Sequence, residues 1–535
     1  MPWELVNPNI TNDPSYLDPR VSNVEAQANS NTSSLAQKAQ QSDLATITQL
    51  SDVPTNIDDT SKLQTKLNSL SDGDTLTLRD GTYYITSLSF TKNNVKIKGR
   101  NTIIKYIGAA TATPMLSFGG TNIKFKNITF DLNNKACYGV VVNSLSENVR
   151  FYNCTIQNGY NDGTLNSMVA GLSIQDNSKR IYVDDCVIQN MVATPNGTVG
   201  DNIGASRAII VNAYNSTNLS SNVYISNCKI DNIQPVEDGD AIQVTSQSST
   251  IYTKVVIEKC IFTNCAKRFV KTNVMGTIIR DNEMINSSAS TDATNRTDSM
   301  YAAVSVYGSH IDVIDNNIHG NSFYHVIDID ISGTALIDTV KIKDNRISIM
   351  ENSTVSTYLG VIHIFAKARN IFITGNKVTN GYHSVYARGD IDTLICSGNT
   401  LNGASVNGFL MDDFSTTNAV NLAINGNIIN SVNNCIAVKY GSGVASGNTL
   451  KSSGGFGAFG YVNNANLTRS GNVGSGAFGT NINYGTSLPS LRSTTYDYGH
   501  EGATFVVSNP GQADKVYVCV KDATDIYAWK QISYS

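Results

Sequence analysis

The feature that most constrains this chain is a short pattern that recurs along it: an alternating strand, then Asn or Cys, one variable residue and an apolar residue. Its members are Asn101, Cys154, Cys186, Cys228, Cys260, Asn282, Asn316, Asn345, Asn376, Asn399, Asn427, Asn448 and Asn472, with Ile128 holding the same place in one repeat. Intervals run from 21 residues (Asn427 to Asn448) to 42 (Cys186 to Cys228). Self-similarity at such a period marks a solenoid, in which each repeat packs only on its neighbours. Within the repeats, Val149-Arg-Phe-Tyr-Asn-Cys154, Val223-Tyr-Ile-Ser-Asn-Cys228 and Val340-Lys-Ile-Lys-Asp-Asn345 alternate as strands do. The expected fold is all-β: a single-stranded right-handed parallel β-helix. Each strand would pair with its equivalent one coil on, and the ladder would stack over roughly 60 Å at a ~4.8 Å rise per coil.

Two properties suit Asn to the ladder. It tolerates left-handed backbone better than other non-glycine residues, and its amide both donates and accepts, so identical residues can bond up and down a stack. Gly or Asp precedes each ladder Asn from Asn282 onward, as a tight turn requires. The nine cysteines are an odd number, and four occupy successive ladder places, which predicts buried thiols rather than a disulfide framework.

Charged residues make up only 15% of the chain and the net charge is −4, which excludes a general nucleic-acid binder. No run of about 18 apolar residues is present, so no membrane span is expected. The first residues lack a basic segment followed by an apolar core, and no secretory leader is expected.

Three regions follow. Residues 1–50 read as an extended attachment segment and a short helical neck, with weak heptad spacing at Val21, Val24, Ala28 and Leu35. Residues 51–482 form the β-helix. It opens on a helix after Asp58-Asp59-Thr60, with Leu63, Leu67 and Leu70 on one face to cover the first coil. Residues 483–535 lack ladder members but contain Thr504-Phe-Val-Val and Val516-Tyr-Val-Cys-Val, a small C-terminal β domain.

Long insertions at 157–170, 189–207 and 286–302 fall at one corner of the coil, where they would border a groove. Beside them, Asp238 and Asp240 lie two apart on extended chain, about 6.5–7 Å, a spacing that suits a general acid and a water-activating base. Arg268 and Lys271 follow one coil later and could hold substrate anions. In Val326-Ile-Asp-Ile-Asp-Ile the Ile side chains should face the core and Asp328 and Asp330 solvent, a competing acidic pair. The same alternation places Ser305, Tyr307, His363, Tyr386, Arg388 and Asp412 on the outer strip. Aromatic faces and polar groups in a row suit a polysaccharide.

The segment Asp58-Asp59-Thr60…Leu63…Leu67…Thr75-Leu-Thr-Leu…Asp80-Gly81-Thr82-Tyr83 resembles the common start of bacteriophage tailspikes and other pectate-lyase-like right-handed β-helix proteins. That resemblance implies a homotrimer on a virion tail, attached to a tail or baseplate protein through residues 1–50. Its partner would be a bacterial surface glycan, capsular polysaccharide or teichoic acid, which it binds and depolymerises. Asp238-Gly-Asp240-Ala-Ile looks like the Asp-Gly strand of polygalacturonase-type hydrolases, and Arg268 with Lys271 like their substrate clamp. Their Gly-His-Gly motif is absent; the nearest histidine is His310, in Tyr-Gly-Ser-His-Ile. For teichoic acid the bond is a phosphodiester, and a divalent cation, calcium or magnesium, could assist. The competing expectations are a non-cleaving receptor-binding fibre and a secreted pectate-lyase-like enzyme.

Overall fold

The computed structural model describes residues 47–49, 54, 57–194, 204–212, 221–235, 238–246, 252–286, 300–320, 323–330, 336–349, 360–412, 421–453, 458–460, 464–475, 482–485, 504–507, 515–521 and 527–532. Apart from Ile47–Gln49, the expected attachment segment and neck lie outside the described residues.

The chain winds as a right-handed parallel β-helix. Each coil has three faces. A strand of the first face, such as Thr277–Arg280, leads through the ladder residue into a strand of the second, such as Glu283–Asn286. A strand of the third, such as Ala302–Val306, completes the coil. Every strand pairs in parallel with its counterpart one coil away: Ile278 opposite Asp312, Met284 opposite Ile318, Val304 opposite Ile327. The third face is a continuous sheet of 14 strands among the described residues. Side chains alternating inward form one continuous apolar core from Leu63 to Phe459.

The ladder stacks inside the coil as amide chemistry requires. Nδ2 of Asn282 donates to Oδ1 of Asn316 at 2.9 Å, and the chain continues through Asn345, Asn376, Asn399, Asn427 and Asn448 to Asn472. Each Oδ1 also accepts the backbone N–H of the Asn one coil earlier, and each Nδ2 reaches a backbone carbonyl, so a buried amide is left with few open bonds. Cys154, Cys186, Cys228 and Cys260 precede the asparagines as buried free thiols.

Two expectations change. The left-handed residue is not the ladder Asn but the one before it: Asn153, Asp185, Asn227, Asp281, Asp315 and Asp344, then Gly375, Gly398, Gly426, Gly447 and Gly471, with φ between 50° and 69°. The ladder side chain turns inward because its predecessor turns the backbone. At the first ladder place, Thr102 rather than Asn101 stands opposite Ile128; Thr102 is buried and Asn101 exposed.

The helix, Thr60–Ser69, buries Leu63 and Leu67 on the first coils. Gln64 does what a further strand would do. Its Oε1 accepts the N–H of Ser89 and its Nε2 donates to the carbonyl of Ser89, satisfying the open edge of the third sheet at Leu88–Thr91. Asp59 is buried and makes no helix cap; its carboxylate accepts the Tyr84 N–H at 3.2 Å and ties the helix to the coil. At the far end Ile482–Gly485, Thr504–Val507, Lys515–Lys521 and Tyr527–Ile532 make a separate four-stranded sheet.

Candidate functional site

The insertions after Thr155–Asn161, Val187–Ala193 and Glu283–Asn286 all lead from the second face into the third, so they share the corner that borders the third sheet's strand starts. The outward positions of that sheet run in register. One row reads Ser173, Ile210, Gln243, Lys271, Ser305, Asp328, His363, Tyr386 and Leu410; a second, nearer the corner, reads Ala170, Arg207, Asp240, Arg268 and Ala302. Rows of this kind set ionisable groups about 4.8 Å apart.

Two buried carboxylates divide this strip. At the first, Asp240 is fully buried. Its Oδ1 accepts Nη1 of Arg268 at 3.0 Å, Arg207 Nη2 lies 3.5 Å from Oδ2, and Lys271 Nζ lies 4.0 Å from Oδ2. Burial alone would raise the Asp240 pKa, but Arg207, Arg268 and Lys271 together outweigh it and hold the carboxyl at about 2. Asp238, partly exposed, pairs with Arg207 at 2.8 Å. Arg268 spends its remaining donors on Ser305 (3.1 Å) and the Tyr307 hydroxyl (3.3 Å), and its guanidinium lies 4.6 Å from the Tyr301 ring centre. Burial pushes the ammonium of Lys271 down, with Asp240 pulling back.

The second carboxylate, Asp328, is also fully buried, and its Oδ1 lies 2.8 Å from Nδ1 of His363. Burial disfavours its charge, yet the His363 hydrogen bond and the charge of His325 keep its carboxyl below the usual range. His325 Nδ1 lies 3.2 Å from the carbonyl of Gly360, and its ring stacks on His363 at 3.9 Å with the planes 2° apart. With its Nδ1 donating to Asp328, His363 carries its lone pair on Nε2. Tyr386 flanks His363 at 5.6 Å, and the Arg388 guanidinium lies 4.2 Å from the Phe365 ring centre.

The alternation therefore assigns the face correctly but not the exposure. Asp328, Ser305 and Tyr386 point outward and are fully buried, not solvent-facing, because partners one coil away close over them; His363 is 8% exposed. Tyr307, Asp330, Arg388 and Lys271 remain half-buried and Asp412 partly exposed. Asp238, Asp240, Arg268 and Lys271 come together in one cluster, with Tyr307 at its edge; Asp328 and His363 form another, with Asp330 further along the Asp328 strand and Arg388 one strand beyond His363, opposite Phe365. Arg207, Tyr301 and His325 are absent from the sequence-based set. Arg207 had a visible signal: Ser206-Arg-Ala-Ile-Ile-Val repeats the pattern of Gly239-Asp-Ala-Ile-Gln-Val one coil on.

Ligand atoms of His325, Asp328 and His363 lie within 4.8 Å of one another, the one such grouping among the described residues. In-plane lone pairs of parallel stacked imidazoles cannot converge on one ion, so this pose suits a shared carboxylate better than a shared metal. Calcium or magnesium, which seek oxygen, would find Asp328 and Asp330.

No family model and no curated protein matches this sequence. Solved structures similar to it include a mutant tailspike protein of E. coli bacteriophage HK620 in complex with pentasaccharide (TM-score 0.49, 11% identity, 90% of each chain covered). Another is PfbA, a surface adhesin of Streptococcus pneumoniae (TM-score 0.49, 15% identity, 66% of this chain and 89% of that one). A third is a mannuronic acid specific polysaccharide family 6 lyase from human gut microbiota (TM-score 0.42, 12% identity, 72% and 84%). These likenesses concern the β-helix and assign no role to any side chain.

Proposed function

We propose that this protein is a phage tailspike that binds a bacterial surface glycan along the third sheet and depolymerises it, with His363 as the group that moves the proton. The Asp328–His363 contact carries the reading. A buried carboxylate on Nδ1 fixes the tautomer and leaves Nε2 as the base, an arrangement suited to proton transfer. Asp240, at about 2, is ionised at neutral pH and cannot serve as a general acid, and the lowered Asp328 is in the same position. Asp328 is therefore a positioning residue, and Asp240 with Arg207 and Arg268 a charged frame behind Lys271. Half-buried Asp330, Tyr307, Lys271 and Arg388 are the groups that meet the polymer, with Asp238 at the corner.

The phage reading rests on the resemblance of residues 58–83. It carries with it a homotrimer and attachment to the tail through residues 1–50. Light scattering tests the assembly: the chain is 57.6 kDa, and a mass near three times that supports it while a monomer mass rejects it. A binding-only fibre draws support from the near-complete closure of Asp240, Arg268 and Asp328, as in a scaffold ion-pair network. Incubation with capsular polysaccharides and wall teichoic acids separates the two. Release of short fragments supports cleavage; saturable binding without fragments on every polymer supports the fibre.

A further inference from the structure

A second concentration of positive charge lies away from the third sheet. On the first face, strands Lys96–Tyr106, Lys124–Asp131 and Glu147–Tyr152 alternate outward cations with inward apolar residues: Lys96-Ile-Lys98, Lys124-Phe-Lys126, Arg150-Phe-Tyr152. Parallel register stacks them as Lys96, Lys124, Arg150, Tyr182 and Tyr224 in one row and Lys98, Lys126, Tyr152 and Asp184 in the next. Among the described residues, none of these five cations has a carboxylate within salt-bridge reach. Asp184, the acid beside them, is engaged by Ser226 and Asn227 at 2.9 and 2.8 Å. Five like charges on adjacent strands of a chain whose net charge is −4 repel one another. Partial burial, with Lys98, Lys126 and Lys124, pushes the Lys96 ammonium below its usual range.

Aromatic faces are built into the same surface. Tyr182 and Tyr224 stack at 5.3 Å with planes 6° apart; the Arg150 guanidinium lies 4.6 Å from the Tyr182 ring centre and Lys126 Nζ 4.9 Å from that of Tyr152. Tyr152 is 43% exposed. Lys96, Lys124, Lys126, Arg150, Tyr152 and Tyr182 line a groove of about 400 Å³. Repelling cations gain from an anion that relieves them, and a row of rings offers apolar faces to sugars.

We infer that this groove on the first face is a second binding site, for an anionic glycan, separate from the strip on the third sheet. The anion is a carboxylate or a phosphodiester borne on a sugar or polyol chain. Single-stranded nucleic acid would use the same two chemistries, but the groove is short, and beyond it the row continues only through Lys254, 5.5 Å from the Tyr224 ring centre, among the described residues.

The test titrates the full chain with polygalacturonate, poly(glycerol phosphate), neutral dextran and an oligo-dT strand in physiological salt. It compares wild type with Lys124→Gln/Arg150→Gln and with Tyr182→Leu. Binding of either anionic polymer, weakened at least tenfold in the double variant and with its log–log salt slope reduced by about two, supports the site; the polymer that binds names the anion. Tyr182→Leu should weaken the same polymer while leaving the salt slope unchanged. Binding of neither anionic polymer, wild-type affinity in the double variant, or tighter binding of oligo-dT than of both polymers overturns the inference.

Discussion

Asp240 and Asp328 are two buried carboxylates on one sheet face, three coils apart and both fully closed from solvent. They differ in what answers their charge. Asp240 is met by two guanidiniums and the Lys271 ammonium, which hold its carboxyl at about 2. Asp328 is met by imidazoles: His363 lies 2.8 Å from its Oδ1, and His325 stacks on His363. A carboxylate fixed in its ionised form holds geometry, whereas an imidazole oriented by a carboxylate can take up and release a proton at its other nitrogen. That contrast is the ground for proposing chemistry at His363 and scaffolding at Asp240.

Substituting the carboxylates one at a time strains the contrast hardest. Asp240→Asn removes the buried counter-charge that Arg268 meets at 3.0 Å and should cost about 3–5 kcal/mol in urea unfolding. Asp328→Asn should cost only about 1–3 kcal/mol, because an imidazole can shed its proton and keep a hydrogen bond. Equal losses would remove the distinction. Next in size, His363→Gln should lower fragment release on the cognate polymer by about 100-fold or more, with the fold retained by circular dichroism.

Acid gives a third comparison. The folded pKa of Asp240 is depressed from 3.8 to about 2, so its contribution is fully present above 3.8 and is lost as pH falls through 2. Wild type should lose about 2 kcal/mol across that window that Asp240→Asn does not lose. The smallest effect is a control outside both centres. Gln64→Ala removes the two bonds to Ser89 and should cost about 1 kcal/mol, with fragment release unchanged.

The fold was legible because it repeats. Ladder spacing, the Gly or Asp before each Asn, and alternation in Val340-Lys-Ile-Lys all report one coil at a time, and the core follows from them. The cap was legible in Leu63 and Leu67, but not the pairing of Gln64 with Ser89, which depends on a side chain meeting an edge 25 residues away. The outer strip was legible as a face and misread as a surface. Burial of Asp328 depends on His363, 35 residues on, and on His325, which precedes the strand and so escapes alternation. Arg207 shows the same limit: its pairing with Asp238 spans 31 residues. The cations of the first face stood in plain alternation, Lys96-Ile-Lys98 and Lys124-Phe-Lys126. Only the parallel register shows that they stack into one groove.

The central claim is that the Asp328–His363 pair turns a glycan-binding strip into a cleaving one, and paired assays of one polymer test it most directly. Fragment release and binding are measured for wild type and His363→Gln on the capsular polysaccharide or teichoic acid that wild type binds. The account predicts that His363→Gln binds within a few-fold of wild type and releases fragments about 100-fold more slowly or worse. Fragment release at the wild-type rate, or wild-type binding with no fragments from either protein on any polymer, would contradict it.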